Sequence, residues 1–167
     1  MSTEQLDAEL RLVFQIEPDE LETNRNGYLS LMQRGRMLMD ANHLFLLFVA
    51  LVPVLLAGWL VGQASIEMVL GAAVFAVITG FVNQSSTKVV ADVLTGRVES
   101  ARGKIKIVVY THDQRTYAGI MGKQYANGII GEAQFIVPLE MKAYPDNEIT
   151  VYYTPRYKKA VSAQAET

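Results

Sequence analysis

The stretch LFLLFVALVPVLLAGWLVGQASIEMVLGAAVFAVITGFV, Leu44–Val82, carries one charged side chain, Glu67. As one helix it would run about 58 Å at 1.5 Å per residue, roughly twice the ~30 Å hydrocarbon core of a bilayer. A carboxylate in the middle of such a helix costs about 2.5–3.5 kcal/mol on insertion. A turn at Gly62–Glu67 removes both difficulties. The sequence therefore predicts a membrane α-helical hairpin of two transmembrane helices, Leu44–Val61 and Ile66–Val82.

Local details agree with that expectation. Trp59 falls near the end of the first pass, where an indole favours the headgroup zone. Pro53 sits mid-pass, a position that helices in lipid tolerate better than helices in water. Neither segment has a polar face, the feature that marks a helix lying on a water-soluble core. Arg34 and Arg36 precede the hairpin and Lys88 follows it, while the turn carries only Glu67. The excess of basic residues on one side predicts an integral protein of the cytoplasmic (inner) membrane with both termini cytoplasmic.

Small residues recur at helical spacing: Gly58 with Gly62, and Ala72 with Ala76 and Gly80. Rows of this kind let helix backbones approach closely. Two uses remain open, packing within the hairpin or a seam for another subunit.

Around the hairpin the 167 residues divide into an N-terminal arm (1–42), the hairpin itself (43–83), a linker (84–92), a cytoplasmic domain (93–161) and a tail (162–167). In the arm, Leu6, Leu10, Val13 and Phe14 share one helical face and Pro18 stops the run. A second amphipathic helix starts near Ser30 and places Leu31, Met32, Leu38 and Met39 on one side, with Arg34 and Arg36 on the other. It reads either as an interfacial helix near anionic lipid or as an extension of the first pass. In the C-terminal domain the period shifts to two, as in KIKIVVYT, AQFIVP and EITVYYT, with TYAGIMG as a further strand. Short strands in close succession predict an all-β small barrel, SH3-like or OB-like. ANGIIGE reads as a hairpin loop with glycines at positive φ, and LEMKAY as a single helical turn.

Composition limits the chemistry. The chain has no cysteine, which excludes disulfides, thiolate metal sites and a cysteine nucleophile. Its two histidines, His43 and His112, are far apart. Residues 1–24 carry seven acids against Arg11, and the remainder fourteen bases against ten acids. GIMGKQ, Gly119–Gln124, fails as a phosphate loop: Tyr117 replaces the first glycine and Gln124 the Ser/Thr that would meet magnesium. His112 and Asp113 are adjacent in a turn and point apart. No catalytic set, cofactor site or metal site is predicted.

Arg156, Lys158 and Lys159, interleaved with Tyr153 and Tyr157, form a basic-aromatic end that fits contact with anionic lipid or a protein partner, or simply a solvated strand end. A dense basic face and a row of stacking aromatics are lacking, which argues against nucleic acid.

The segments NRNGYLSLMQ, GRVES and VYYTPRYKKAVS, set around the hairpin, resemble a layout found in uncharacterised bacterial two-span membrane proteins. In plan the chain is also similar to NfeD-type proteins, in which membrane helices precede a cytoplasmic small barrel. The resemblance implies architecture and transfers no functional residue. The expected role is a non-enzymatic adaptor or accessory subunit that presents a small barrel at the inner leaflet. Its expected partners are the lipid bilayer and either another protein or further copies meeting through the hairpin. The alternative is a homo-oligomeric channel or pressure-responsive pore lined by the Gly/Ala face of the second pass.

Overall fold

The structure, a computed structural model, describes residues 2–110 and 125–166. Within them the chain forms two compact units. Unit 1 combines residues 1–30 with 96–167, and unit 2 is the intervening segment 31–95.

Unit 1 begins with α1 (Thr3–Phe14). Ser2 Oγ accepts from the Gln5 amide at 3.3 Å and Gln5 Oε1 accepts from the Ser2 amide at 3.2 Å, a reciprocal cap. Gln15 ends the helix in the left-handed region, φ 51°. Leu6 and Leu10, one turn apart, are completely buried among the strands rather than displayed on a free arm. Pro18 opens α2 (Pro18–Arg25) instead of merely ending α1. Its fixed φ suits a first helical position, where no amide hydrogen is required.

Six strands complete the unit: β1 (Glu99–Gly103), β2 (Lys106–Tyr110), β3 (Tyr125–Ile130), β4 (Ala133–Val137), β5 (Ile149–Tyr153) and β6 (Ala160–Ala165). They form two three-stranded antiparallel sheets, ordered β1-β5-β6 and β2-β3-β4. The expected closed barrel is thereby corrected to two open sheets. The link between β4 and the start of β6 is a single parallel bridge, Ile136 with Lys159. Pairing stops there because Pro138 follows β4 and offers no amide, while Lys158 turns the chain at φ 57°.

Of ANGIIGE, residues 126–130 are strand, and the hairpin turn is confined to Gly131 and Glu132, with Gly131 at the expected positive φ of 58°. Gly128 lies inside β3 because a Cβ there would meet Phe135 Cε2 at 2.7 Å, Ile105 Cδ1 at 2.9 Å and Val137 Cγ1 at 2.9 Å. These side chains and Phe135, stacked on Tyr153 with centroids 5.2 Å apart, fill the core between the sheets and α1. LEMKAY is irregular, with Met141 and Tyr144 buried.

Unit 2 consists of α3 (Leu31–Asp40), α4 (His43–Leu60), α5 (Ile66–Val82) and α6 (Gln84–Thr95). The hairpin expected from Leu44–Val82 exists as α4 and α5, but the two transmembrane passes do not. No single helix among the described residues is long and apolar enough to cross a membrane. With 18 and 17 residues, α4 and α5 extend about 27 and 26 Å, short of the ~30 Å hydrocarbon core. Two local features shorten them. Residues 61–65 are spent on the turn, with Gly62 at φ 74°, and Asn83 ends α5, its amide and its side-chain Nδ2 both donating to the Thr79 carbonyl. The chain then bends by 105° into α6, so α5 and α6 do not add up to one straight pass. The transmembrane description, the placement as a two-span integral inner-membrane protein with both ends cytoplasmic, and the small barrel are all corrected by these findings.

Candidate functional site

The most distinctive surface is the outside of α4 and α5. Ser65 Oγ caps α5 by accepting from the Met68 amide at 3.4 Å, which fixes the tight turn. At the base, Asn42 joins the helices: its amide donates to Ser86 Oγ at 2.9 Å, and its Oδ1 accepts from the Phe45 amide at 3.2 Å, capping α4. Between the two helices, Phe48 stacks on Phe75 at 5.2 Å.

The small residues take up this inner seam. Ala72 and Gly80 are buried, and a Cβ on Gly80 would meet Phe45 Cε2 at 3.0 Å. A Cβ on Gly58 would reach the Ala64 Cβ at 3.3 Å, so this glycine lets the helix close on its own turn. Gly62 has open space around it and serves the turn through its positive φ. Ala76 is half-buried and lines, with Phe45, Gly80 and Phe81, an apolar groove of about 540 Å³.

Outside that seam the surface is largely apolar and exposed. Leu60, Val61, Val77, Phe81 and Val82 each show 70% or more of their surface. Trp59 is exposed beside the turn, and Glu67 is exposed at the start of α5. Hydrogen bonds from the Ser65 side chain and from its own backbone amide hold the Glu67 carboxyl below the usual range. At the base, Arg34 is half-buried, and Arg36 and Lys88 are exposed.

The interior of this unit is mixed. Gln33, Ser86 and Asp92 are buried in α3 and α6 beside Met37 and Val89, while Leu31, Met32 and Met39 face outward. The sequence groups Leu31, Met32 and Met39 on one side correctly and does not reveal that Gln33 and Met37 form the buried side.

In unit 1, polar side chains fasten elements to one another. Asn24 Oδ1 accepts from Ser162 Oγ at 2.6 Å, and its Nδ2 donates to the Tyr28 carbonyl at 2.8 Å. Asp7 Oδ1 accepts from the Ala165 amide at 2.6 Å. Arg25 donates to Gln164 Oε1 at 2.6 Å, and Thr150 donates to Glu166. The basic-aromatic turn is not a free patch. Lys158 bonds Glu99 at 3.1 Å and lies 4.9 Å from the Tyr153 ring centroid. The Lys159 amide donates to Thr154 Oγ1 at 3.2 Å, and Arg156 is exposed on the same turn.

Burial raises the phenols of Tyr152 and Tyr153 above their ordinary value, with Arg25 and Lys158 respectively opposing the shift. Tyr144 is pushed up to about 12, by burial first and then by the Glu9 carboxylate beside it. Its hydroxyl has no hydrogen-bond partner in good geometry among the described residues.

No group of three or more His, Cys, Asp or Glu side chains could hold a metal ion among the described residues. His112, Asp113, the TYAGIMG segment and the GIMGKQ loop lie outside the described residues. Compared with known proteins, the chain matches no family model, no curated protein and no solved structure.

Proposed function

We propose that this chain is a non-enzymatic adaptor or accessory protein that seats itself by the α4–α5 hairpin and carries unit 1 as its presented module. The single observation behind this reading is the outward apolar surface of the hairpin. Proteins in water rarely expose a contiguous apolar patch of more than a few hundred Å², and a larger one marks an interaction surface. Unit 1 supports the same division of labour. Its polar side chains hold strands and helices together, as Asn24 does for Ser162 and Asp7 for Ala165, and among the described residues its exposed large apolar side chains, Leu12, Tyr28, Val108, Val109 and Leu139, are few and spread over α1, β2 and the loops.

Hydrogen exchange on the full chain tests the proposal, comparing the native assembly isolated under mild conditions with the chain stripped of associated material. The native assembly is expected to protect side-by-side segments of α4 and α5, with the protection lost on stripping. A monodisperse, uncomplexed chain in plain buffer, with identical exchange before and after stripping, overturns it.

A further inference from the structure

The geometry points to a lipid surface as the body that covers unit 2, with the hairpin lying lengthwise in one leaflet and both its turn and its base at headgroup depth. This inference rests on the adaptor reading above and names its partner.

Three observations carry it. The first is angular. At 100° per residue, the exposed apolar positions Met68, Leu70, Val74, Phe75, Val77 and Phe81 of α5 sweep half its circumference. A folded protein covers a helix along a stripe about 100° wide, whereas acyl chains wrap whatever arc is offered.

The second is the outer face of α3. Leu31, Met32 and Met39 fall within one 100° arc with Arg36 40° beyond it, all exposed, while Gln33 and Met37 are buried against the unit. An outward apolar face edged by a cation is the arrangement of a helix at a headgroup boundary.

The third is the placement of charge. The basic residues of the unit, Arg34, Arg36 and Lys88, sit on α3 and α6 at the base of the hairpin. Of the unit's three carboxylates, Asp92 is buried, Glu67 stands at the opposite end and Asp40 ends α3, so the base carries three basic residues against Asp40 and the buried Asp92. Cations at the base suit an anionic headgroup layer. The polar turn Gly62–Glu67 excludes a pose with the turn driven to the bilayer centre, because Glu67 would be stranded there. Trp59, next to that turn, suits headgroup depth as well.

The test mixes the full chain, diluted from detergent, with preformed phosphatidylcholine vesicles with and without phosphatidylglycerol. The chain contains no cysteine, so Gln63→Cys, in the exposed turn, reports its side through an impermeant maleimide. The expected result is flotation with the vesicles, a blue shift of the emission from the sole tryptophan, Trp59, and labelling of Cys-substituted protein from the side of addition. Arg36→Gln and Lys88→Gln are each expected to lower partition onto anionic vesicles about fivefold, with helix content by circular dichroism unchanged. Leu31→Gln with Met32→Gln, both at exposed positions, is expected to weaken flotation without unfolding the chain.

Labelling only after the vesicles are opened means that the hairpin crosses, and overturns the proposal. A stoichiometric complex of copies that does not float overturns it while leaving the adaptor reading intact. A dispersed monomer that ignores vesicles overturns both. Unchanged partition of both charge variants removes the anionic surface from the proposal.

Discussion

The two units of this chain differ in what they leave outside. In unit 1 the large apolar residues Leu6, Leu10, Phe135, Ile149 and Val151 are inside, and the charges of Lys142, Arg102 and Lys158 are outside. Unit 2 also buries apolar residues, Met37, Phe45, Val69 and Val89, alongside Gln33, Ser86 and Asp92, yet it leaves Leu60, Val77 and Phe81 outside. The hydrophobic effect drives apolar area away from water at roughly 25 cal/mol per Å². Under the proposal above, something apolar surrounds that exposed surface in the native assembly. The difference teaches that burial inside one chain is a measure of its intended solvent as well as of its packing.

The sharpest way to break the comparison is to truncate one phenylalanine in each unit. Phe135→Ala removes a ring that is 2% exposed and stacked on Tyr153, so a loss of about 3–5 kcal/mol is expected in unit 1. Phe81→Ala removes one that is 80% exposed, and the expected change in unfolding free energy is within about 0.5 kcal/mol. Chemical denaturation followed by circular dichroism reads both. Equal losses would mean that the hairpin is covered by its own chain.

Asn24→Ala gives the next largest effect. It leaves the Ser162 hydroxyl buried and without its acceptor, and frees the Tyr28 carbonyl, at a cost of about 1–3 kcal/mol. The same measurement on Asn24→Ala with Ser162→Ala is expected to recover part of that loss, since the stranded hydroxyl is gone.

Alkaline stability sharpens the description of unit 1 further. The Tyr144 phenol titrates at about 12 in the folded chain and near 10 when unfolded. The folded state therefore holds a proton that the unfolded state has released. Stability present below pH ~10 is lost as pH rises toward ~12, by on the order of 1–2 kcal/mol. Tyr144→Phe is expected to flatten that decline in a pH series of denaturation midpoints, and a decline of unchanged steepness would assign it to other groups. The smallest effect belongs to Lys158→Ala. Its pair with Glu99 is half in water, so less than about 1 kcal/mol is expected from the ion pair and the Tyr153 face together.

Much of this fold is legible in the residues, for identifiable reasons. The period of Leu6, Leu10, Val13 and Phe14 fixes α1, and strict alternation locates β2, β4 and β5. The turn at Gly62 is readable because an apolar run that long must fold back. Other elements hide. β3 contains two adjacent turn formers, Asn127 and Gly128, and only the tertiary crowding at Gly128 by Phe135, Ile105 and Val137 explains why a strand tolerates them. β6 is made of small and polar residues, whose place is decided by distant partners, Asp7, Asn24 and Arg25. The candidate surface was readable both as an apolar run and in extent, since the expected segments Leu44–Val61 and Ile66–Val82 match α4 and α5 within one residue. Which residues α3 buries, Gln33 and Met37, depends on what α6 places beside it, which periodicity along one helix does not contain.

The interior of unit 1 draws on α1, which precedes the hairpin in the chain, and on β6, which follows it. Leu6 and Leu10 pack into that interior together with Ala160 and Ala163. On a ribosome, α4 and α5 are therefore extruded while the module that will be presented is still missing its last strand. Domains fold as their residues become available, so the greasy pair has to find shelter first. If the chain is the adaptor proposed above, it is seated before it is able to recruit anything.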